Sequence, residues 1–496
     1  MSLLWLPFLV ILVVTYITRR YTFSRLPPGP RGLPIVGNIL DMPTTKPWLT
    51  FAHWSKLYGD ICSVTVLGQT FIILGSSDTA VDLLAKRSST YSDRPHLTMA
   101  CDLVRWDLTI PLMSSGNTLR THRRLLHSCL NANVIDKFGR IQENEARQLL
   151  KRLLEAPEKF HNHVARLAAY LSLRIAYGYD SEVKEDRDKL LQLVERTMAE
   201  FSKLSAPGTF LVDQLPFLRF LPEWLPGMGF KRLAREWKKD LDDLVNIPFN
   251  FVKGQVAMGM EKESFVSALL HDKSASEYDI KWAASTIYGG GGETTTSALD
   301  AFFLAMVQYP SVQKQAQVEL DTLLNNGERL PSLSDRNKLP YINALCLEVL
   351  RYHSVLPTNI PHCTSQDDVY NGYFIPKGSL VIANIWNMTH DPKIYQDPTV
   401  FNPMRFLAKP EQVLERDPRE IAFGLGRRIC PGRYLADATV FTVCAMILST
   451  FDISRVEGSP EPVLNARDGT ISRPAPFLCS ITPRSPRAVE LINAAD

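Results

Sequence analysis

Cys430 lies in a short loop whose neighbouring residues are suited to keeping its sulfur as a thiolate. The loop reads Phe-Gly-Leu-Gly-Arg-Arg-Ile-Cys-Pro-Gly over residues 423–432. A free cysteine has a pKa of about 8.5, and only its thiolate form binds a metal. Two arginines precede the sulfur, while Gly426 and Gly432 allow a tight turn whose amides can donate hydrogen bonds to it. These residue types indicate a thiolate ligand to a metal ion.

Five positions of this loop form a signature that resembles that of the cytochrome P-450 superfamily, the heme-thiolate monooxygenases. The five residues are Phe423, Gly426, Arg428, Cys430 and Gly432. In that family a cysteine thiolate is the axial ligand of heme b, and the electron density that it gives the iron favours cleavage of the O–O bond. The resemblance implies that Cys430 binds the iron, that Arg428 pairs with a heme propionate, and that Phe423 and Gly432 help to bind the cofactor. The alternative is a buried structural cysteine in a basic turn.

Composition and charge exclude other classes of protein. The 496 residues include 55 Lys and Arg against 52 Asp and Glu, and this formal net charge of +3 argues against a nucleic-acid binder. The eight cysteines form no Cys-x-x-Cys pair, so neither a zinc site nor a disulfide framework is indicated. Reduced thiols fit a cytosolic compartment. Since no linker or low-complexity tract divides the chain, we expect one heme-thiolate catalytic domain over residues 41–496.

The N-terminal residues differ from the rest of the chain. Residues 3–17 are almost wholly apolar and precede Arg19 and Arg20. Charge after the apolar run, without a small-residue cleavage site, favours a retained signal-anchor over a removed signal peptide. We therefore predict a transmembrane helix at 1–20, in contact with membrane lipid, and a proline-rich hinge at 21–40, for which an ordinary linker is the alternative. The predicted location is the endoplasmic reticulum membrane, as a single-pass protein whose catalytic domain faces the cytoplasm.

Residues 281–309 are predicted to form one long helix that Pro310 ends. The four glycines at 289–292 each oppose a helix by roughly 0.5–1 kcal/mol relative to alanine, so a loop between two shorter helices is the alternative. A local distortion that brings the backbone close to a ligand would explain them. The segment also resembles the family's oxygen-binding segment beside the distal face of heme. The resemblance implies that Glu293 supplies protons and that the Thr294 hydroxyl holds the water bound to dioxygen.

Glu348 and Arg351 carry opposite charges three residues apart on an otherwise apolar helix. A pair exposed on the surface is the alternative. The pair resembles the family's Glu-x-x-Arg motif, which an arginine in a later meander completes, and here Arg405 takes that place. Met404 stands where the family usually has Glu. The resemblance implies a buried structural network of these three charged side chains on the underside of the heme pocket.

The heme carboxylates need cationic partners, and the resemblance suggests two more. In the family a Trp commonly occupies the position of Leu119, with a basic residue four positions later, which is Arg123 here. The missing indole N–H removes one propionate donor. His362 resembles another position that contacts a propionate, and a core histidine with no ligand is the alternative.

The family fold is mainly α with a small β region, which we expect to include residues 60–75 and 372–385. Heme is expected between the long distal helix at 281–309 and the Cys430 loop. Residues 201–230 are apolar and rich in proline, and they form either a substrate lid that also enters the membrane or part of the core. A lipophilic small-molecule substrate is expected.

The resemblance extends to membrane-anchored fungal microsomal members of secondary metabolism. It implies a monooxygenase that inserts one atom of O2 into a hydrophobic small molecule, by hydroxylation or epoxidation. Because no flavin or NADPH-binding motif is present, the electron donor is expected to be the NADPH-cytochrome P-450 reductase, a diflavin enzyme, with cytochrome b5 as a second candidate. The alternatives are a heme-thiolate isomerase or dehydratase that needs no O2, and a non-enzymatic heme carrier or sensor. Glu293 and Thr294 argue against both.

The two segments expected near the thiolate side of the heme are rich in arginine. Arg123 and Arg428 are expected to turn toward the propionates. The others form a basic surface able to attract an acidic flavin domain, or a set of solvated charges with no partner. These are Arg120, Arg124, Arg427 and Arg433.

Overall fold

The structure is a computed structural model that describes residues 25–179, 184–206, 208–325, 327–408 and 414–494. Helices contain 58% of the residues and strands contain 8%. The prediction of a mainly helical fold with a small β region is therefore confirmed.

The chain forms two compact units that alternate along the sequence. Among the described residues, the smaller unit contains residues 25–95, 358–388 and 425–428. All other described residues belong to the larger unit. The chain thus passes between the units twice within the Cys430 loop. The prediction of one catalytic domain over 41–496 stays a prediction.

The longer helices are α1 (Pro47–Tyr58), α2 (Asn117–Leu130), α3 (Gly139–Glu155), α4 (Phe160–Tyr177), α5 (Lys184–Leu204), α6 (Phe230–Met258), α7 (Phe265–Asp272), α8 (Glu277–Gln308), α9 (Pro310–Leu323), α10 (Pro340–Tyr352), α11 (Arg433–Thr450) and α12 (Pro486–Ala494). Single helical turns lie at Ser77–Ala80, Ser88–Tyr91, Leu211–Gln214, Ile385–Thr389 and Arg419–Ala422. Wider π-helical segments lie at Val81–Lys86 and Thr98–Val104. The strands are β1 (Ile61–Val66), β2 (Gln69–Leu74), β3 (His362–Cys363), β4 (Asp368–Tyr370), β5 (Tyr373–Ile375), β6 (Leu380–Ala383), β7 (Phe451–Ser454) and β8 (Ser480–Pro483).

The smaller unit is built on a sheet of four strands in the order β1-β2-β6-β3. β1 and β2 form an antiparallel hairpin, and β6 lies parallel to β2 with Phe71 opposite Leu380. Phe51 and Trp54 of α1 pack on the apolar face of this sheet. These strands include the two segments predicted as the β region, and β4 and β5 form a separate hairpin.

The larger unit contains α2 to α12 and the antiparallel pair β7-β8. α8 packs against α2, α4 and α11. Its second half, from Ala298 to Val307, is buried on every side. Apart from Asp300, this stretch is apolar on all sides, which is typical of a helix in a core. Truncation of a fully buried aromatic such as Phe302 costs about 3–5 kcal/mol.

α8 is one continuous helix, as predicted, and runs through all four glycines. Its start is fixed by Ser276, whose side chain accepts a hydrogen bond from Asp279 N–H. Asp279 and Glu277 also place negative charge at the positive end of the helix. Tyr309 ends the helix, and Pro310 begins α9.

Close packing between α8 and α4 accounts for Gly291. A Cβ atom at Gly291 would lie only 2.2 Å from Ser172 Oγ. The neighbouring Gly292 faces the backbone of Ala169, where a Cβ would lie 4.0 Å from Cα. The helix contact therefore offsets the intrinsic cost of glycine in a helix.

The proline-rich segment is described from Arg25 onward and lies along β1. Ser63 N–H donates to Pro28 O at 3.0 Å, and Ser63 Oγ donates to Pro27 O at 2.6 Å. Gly29 permits this approach, since a Cβ there would lie 1.9 Å from Ser63 O. Prolines restrict the backbone before Leu33, and Leu33 and Gly37 then close a turn through two backbone hydrogen bonds. The segment is bound to the smaller unit. The hinge limits of 21–40 stay a prediction.

The length and apolar character of the helices contradict the predicted location in the membrane. Within the described ranges, no helix combines the length and the apolar character needed to cross a bilayer. The longest, α8, carries five charged residues, each costly in hydrocarbon. The prediction of a single-pass endoplasmic reticulum protein with its catalytic domain facing the cytoplasm is overturned by this finding. The predicted transmembrane helix at 1–20 lies outside the described residues.

Candidate active site

The Cys430 loop is closed by its own backbone just before α11. Cys430 N–H donates to Phe423 O at 2.7 Å, so Phe423 contributes a main-chain contact. Gly432 is the N-cap of α11. The sulfur therefore lies near the positive end of a helix, an environment that favours a thiolate.

Opposing influences act on the pKa of the Cys430 thiol. The residue keeps some solvent exposure, but desolvation of the sulfur is the largest influence and raises the pKa. The Gly432 N–H and the charges of Arg123 and Arg433 lower it. Burial outweighs these contacts, so the net shift of the thiol pKa is upward.

Gly426 fits where no other residue would. Its φ is +56°, in the left-handed region, and a Cβ would lie 2.2 Å from Leu84 O. Within the smaller unit, this contact seats residues 426–428 on the π-helical segment Val81–Lys86. A side chain at this position would displace the adjoining Arg428.

Arg123 supports the Cys430 loop from α2. Its Nη2 donates to Ile429 O at 2.8 Å. Burial lowers the pKa of the guanidinium, and the charge of Cys430 opposes that effect. Leu119, one turn earlier, is buried. The propionate contact of Arg123 stays a prediction, whereas its contact with the loop is observed.

His362 lies in a cationic cluster of the smaller unit. Its Nδ1 is 2.6 Å from Tyr91 O and therefore carries the hydrogen. Its Nε2 is buried and has no hydrogen-bond partner among the described residues. Burial and the charges of Arg94 and Arg428 lower its pKa. Nε2 is thus the bare acceptor of a neutral ring, and it can donate to a carboxylate once an anion has favoured its protonation.

The two arginines near His362 are held by main-chain oxygens. Arg428 Nε donates to Ser92 O at 2.7 Å, and Arg94 Nη1 donates to Pro361 O at 2.9 Å. Both residues are buried, at 7% exposure. Buried cations so close to a histidine create a field that suits an anionic group. Arg94 was not found from the sequence, because no local motif marks it.

On α8, the predicted pair of catalytic residues lies on adjacent positions. Thr294 Oγ1 donates to Gly290 O at 2.7 Å, within the helix. Glu293 is partly buried, and desolvation raises its pKa while Arg473 lowers it. Arg473 Nη1 lies 3.8 Å from Glu293 Oε2. The sequence motif pointed to Glu293 and Thr294 but not to Arg473, which lies in the C-terminal loop.

Glu348, Arg351 and Arg405 lie together in a fully buried cluster. Arg351 binds Glu348 through two hydrogen bonds of 2.7 Å, from Nε and Nη2. Arg405 Nε lies 3.1 Å from Glu348 Oε2. Arg405 Nη1 also donates to Glu415 Oε2 at 2.6 Å. Glu415, which the sequence did not indicate, makes this a group of two cations and two anions.

The four arginines expected to form a basic surface differ in their exposure and contacts. Arg120, Arg124 and Arg427 are exposed. Arg433 lies over the Tyr434 ring, 4.3 Å from its centroid, and Nη1 is 3.5 Å from Cys430 O.

In the apolar region 201–230, large side chains are both exposed and buried. The exposed ones include Leu211, Phe217, Phe220 and Trp224, whereas Val212 and Met228 are buried. Core packing therefore accounts for part of this region.

These residues fit a heme better than a bare metal ion. Among the residues that the structure describes, no group of three or more His, Cys, Asp or Glu side chains could hold a metal ion. Iron bound by Cys430 therefore needs its other ligands from a cofactor, as a porphyrin provides. The cationic cluster at His362, within the smaller unit, suits carboxylate groups.

The chain is similar to known proteins over most of its length. The family described as Cytochrome P450 matches residues 27–480. Cytochrome P450 monooxygenase 208 of Postia placenta is 47% identical over 490 residues, which cover 98% of this chain and 95% of that protein. Cytochrome P450 monooxygenase claR of Ampulloclitocybe clavipes is 44% identical, over 97% of this chain and 90% of that protein. Tryptamine 4-monooxygenase of Psilocybe cyanescens is 39% identical, over 96% of each chain.

A solved structure shows the same fold. A zebra fish cytochrome P450 with abiraterone is similar with a TM-score of 0.70, at 24% identity, over 88% of this chain and 100% of that chain. At that identity the likeness concerns the fold alone. The family match and the sequence relatives show more than the fold. This chain belongs to the cytochrome P450 family, which holds heme b through an axial cysteine thiolate, and it is a monooxygenase.

Proposed function

We propose that this monooxygenase inserts one atom of O2 into a hydrophobic small molecule of fungal secondary metabolism, by hydroxylation or epoxidation of an unactivated C–H or C=C bond. The fungal origin of the relatives supports this assignment. One of these relatives is a tryptamine 4-monooxygenase. A small organic molecule of that size is the expected class here.

The observation that carries the proposal is the Glu293–Thr294 pair on an unbroken α8. The Thr294 hydroxyl is oriented by its hydrogen bond to Gly290 O, at 2.7 Å. Glu293, next to it, can exchange protons because its carboxyl is only partly buried. An isomerase, a dehydratase or a heme carrier has no need of ordered proton delivery beside the cofactor.

Each site residue has a role in this proposal. Thiolate-ligated heme supplies the activation of O2 when it is bound. Cys430 would bind its iron, and Phe423 and Gly432 would hold the loop that presents the sulfur. Arg428 and His362 pair with the propionates, and Arg123 holds the Cys430 loop while serving one of them.

The distal residues handle protons. Thr294 holds a water molecule in place by accepting a hydrogen bond at Oγ1, because its own hydroxyl hydrogen is donated to Gly290 O. Glu293, whose side chain is 22% exposed, passes protons toward that water. Glu348, Arg351 and Arg405 act structurally.

Electrons are proposed to come from an NADPH-dependent diflavin reductase, with cytochrome b5 as a second donor. The exposed Arg120 and Arg124 on α2 support this, because α2 also contacts the Cys430 loop through Arg123. Exposed cations of this kind increase the association rate with an acidic partner.

One experiment tests the proposal against its alternatives. The purified protein is reduced, exposed to carbon monoxide and examined for the red-shifted Soret band that reports a thiolate ligand. Turnover with candidate lipophilic substrates is then measured with and without O2 and reductase. Incorporation of one ¹⁸O atom from ¹⁸O2 into product supports monooxygenation. Turnover without O2 would favour the isomerase or dehydratase, and a thiolate band without turnover of any substrate would favour the carrier or sensor.

A further inference from the structure

One guanidinium links two carboxylates on the same face of α8. Arg473 Nη2 and Nε lie 2.8 and 3.2 Å from Asp300 Oδ2. Its Nη1 lies 3.8 Å from Glu293 Oε2. Glu293 and Asp300 are seven residues apart, close to two helical turns, so both can face the same partner.

Asp300 is the fixed end of this arrangement. It is 1% exposed, and its Oδ1 lies 2.9 Å from His161 Nδ1 on α4. The other ring nitrogen of His161 is 3.3 Å from Phe477 O. Removing a partner from a buried carboxylate leaves an unpaired charge at high cost, so Asp300 holds Arg473 firmly.

Hydrogen bonds also hold the backbone of Ser472, the residue before Arg473. Ser297 Oγ on α8 donates to Ser472 O at 2.5 Å, and His353 Nε2 lies 3.2 Å from the same oxygen. Ser472 N–H donates to Val355 O at 2.8 Å. Three contacts to one residue restrict the loop and therefore the directions open to the Arg473 side chain.

We propose that Arg473 is the positioning residue of Glu293: anchored by Asp300 and by the fastened loop, its guanidinium orients the Glu293 carboxyl and sets its charge. The inference rests on the proposed role of Glu293 in proton delivery. The short contact makes Asp300 the permanent counter-ion of Arg473. The longer 3.8 Å separation leaves Glu293 able to take up and release a proton.

The charges facing Glu293 determine the expected effect. Desolvation raises its pKa most, Arg473 lowers it, Glu195 on α5 and Asp300 on α8 raise it, and Arg467 lowers it. An opposite charge within about 4–6 Å lowers a carboxyl pKa by roughly 1–3 units. Partial exposure screens the interaction, so we expect the lower end. Arg473→Met should raise the pKa of Glu293 by about 1 unit.

The test is an infrared titration of the resting holoenzyme. The C=O band of protonated Glu293 is isolated by subtracting the spectrum of the matching Glu293→Gln protein at each pH. In Arg473→Met the midpoint should move upward by about 1 pH unit. Arg473→Lys keeps the charge and should restore most of the original midpoint. Arg467→Met removes an exposed cation of the same loop, which solvent screens, and should leave the midpoint nearly unchanged.

An unchanged midpoint in Arg473→Met, or an equal shift in Arg467→Met, would overturn the proposal. If Arg473→Met does not fold because Asp300 is left unpaired, Arg473→Met/Asp300→Asn removes that charge. Its midpoint should then exceed that of Asp300→Asn alone, and equal midpoints would refute the role. Product formed per NADPH tests Glu293 separately. Full coupling in Glu293→Gln would refute proton delivery while leaving the dependence of the titration on Arg473 intact.

Discussion

Glu348→Gln should destabilise the protein far more than the loss of one negative charge at the surface. Glu348 accepts from Arg351 twice at 2.7 Å and from Asn402 N–H at 2.8 Å, and it lies 3.1 Å from Arg405 Nε. The amide keeps one acceptor but removes the charge, so the buried group of four acquires a net positive charge. Breaking a buried ion pair in this way costs about 3–5 kcal/mol.

The expected change in melting temperature follows from the size of the chain. Unfolding entropy of about 2.1 cal/mol/K per residue gives roughly 1 kcal/mol/K for a chain of 496 residues that unfolds as one. The loss therefore corresponds to a decrease of about 3–5 °C. Circular dichroism and the Soret band, recorded in the same scan, measure unfolding and heme release separately.

Glu490→Gln is the matched control. Glu490 pairs with Arg487 at 2.9 Å with the same three-residue spacing, but both side chains are more than half exposed. Such a pair contributes about 0–1 kcal/mol, so its melting temperature should change by less than about 1 °C. Similar shifts in the two variants would refute the idea that burial makes the Glu348 cluster essential. Glu348→Gln/Arg351→Met, which removes one charge of each sign, should be less destabilised than the sum of its single variants.

Four further predictions follow from the site. Cys430→Ala should abolish turnover and the red-shifted band of the reduced carbon monoxide complex. Thr294→Ala should retain heme but lower product per NADPH several-fold and release hydrogen peroxide, because proton delivery is disordered. Arg120→Glu/Arg124→Glu should slow reductase-driven reduction of the iron about 10-fold, and the loss should shrink at 1 M salt, where the Debye length is about 3 Å. Burial lowers the pKa of His353 from 6.5 to about 4, so the native state binds fewer protons than the unfolded state between these values. Stability should therefore be full above about pH 6.5 and fall by about 3 kcal/mol as the pH drops to about 4, and His353→Gln should flatten this dependence in urea titrations.

Each of these predictions has an outcome that contradicts it. A Cys430→Ala protein that keeps the red-shifted band has another ligand. Unchanged coupling in Thr294→Ala means that the hydroxyl is supplied elsewhere. Equal losses in reductase-driven and peroxide-driven turnover for the arginine variant indicate damaged heme binding instead of docking. If stability depends on pH in the same way in His353→Gln, other groups cause the acid sensitivity.

Local spacing explains what the sequence could predict. The Cys430 loop, the Glu293–Thr294 step and the Glu348–Arg351 pair each depend on residues within one turn or loop, where chain geometry alone brings the groups together. The continuity of α8 through its glycines was predicted, but the sequence suggested only a distortion close to a ligand as the reason for them and not a contact between helices. Gly291 serves a contact with Ser172 on α4, and no pattern within α8 reveals a partner more than a hundred residues away.

Long-range packing explains what was missed. Arg473 and Asp300 are 173 residues apart in sequence, and Arg94 reaches Pro361 across 267 residues. The sequence does indicate a partner for Asp300, because a charged residue in an otherwise apolar helical run must be paired when it is buried. The sequence does not indicate the role of Glu415, because nothing near it distinguishes it from a surface carboxylate.

The parallel pairing of β2 with β6 has a consequence for synthesis of the protein. The segment Phe71–Leu74 is fully apolar and buried, yet its partner Leu380–Ala383 is translated about 300 residues later. At roughly 5–20 residues per second, the nascent β2 waits about 15–60 s for its neighbour. During that interval it presents an unpaired apolar edge, the kind of surface that templates association between chains. Chaperone supply during translation should therefore limit the yield of soluble protein in a foreign host more strongly than the stability of the finished fold.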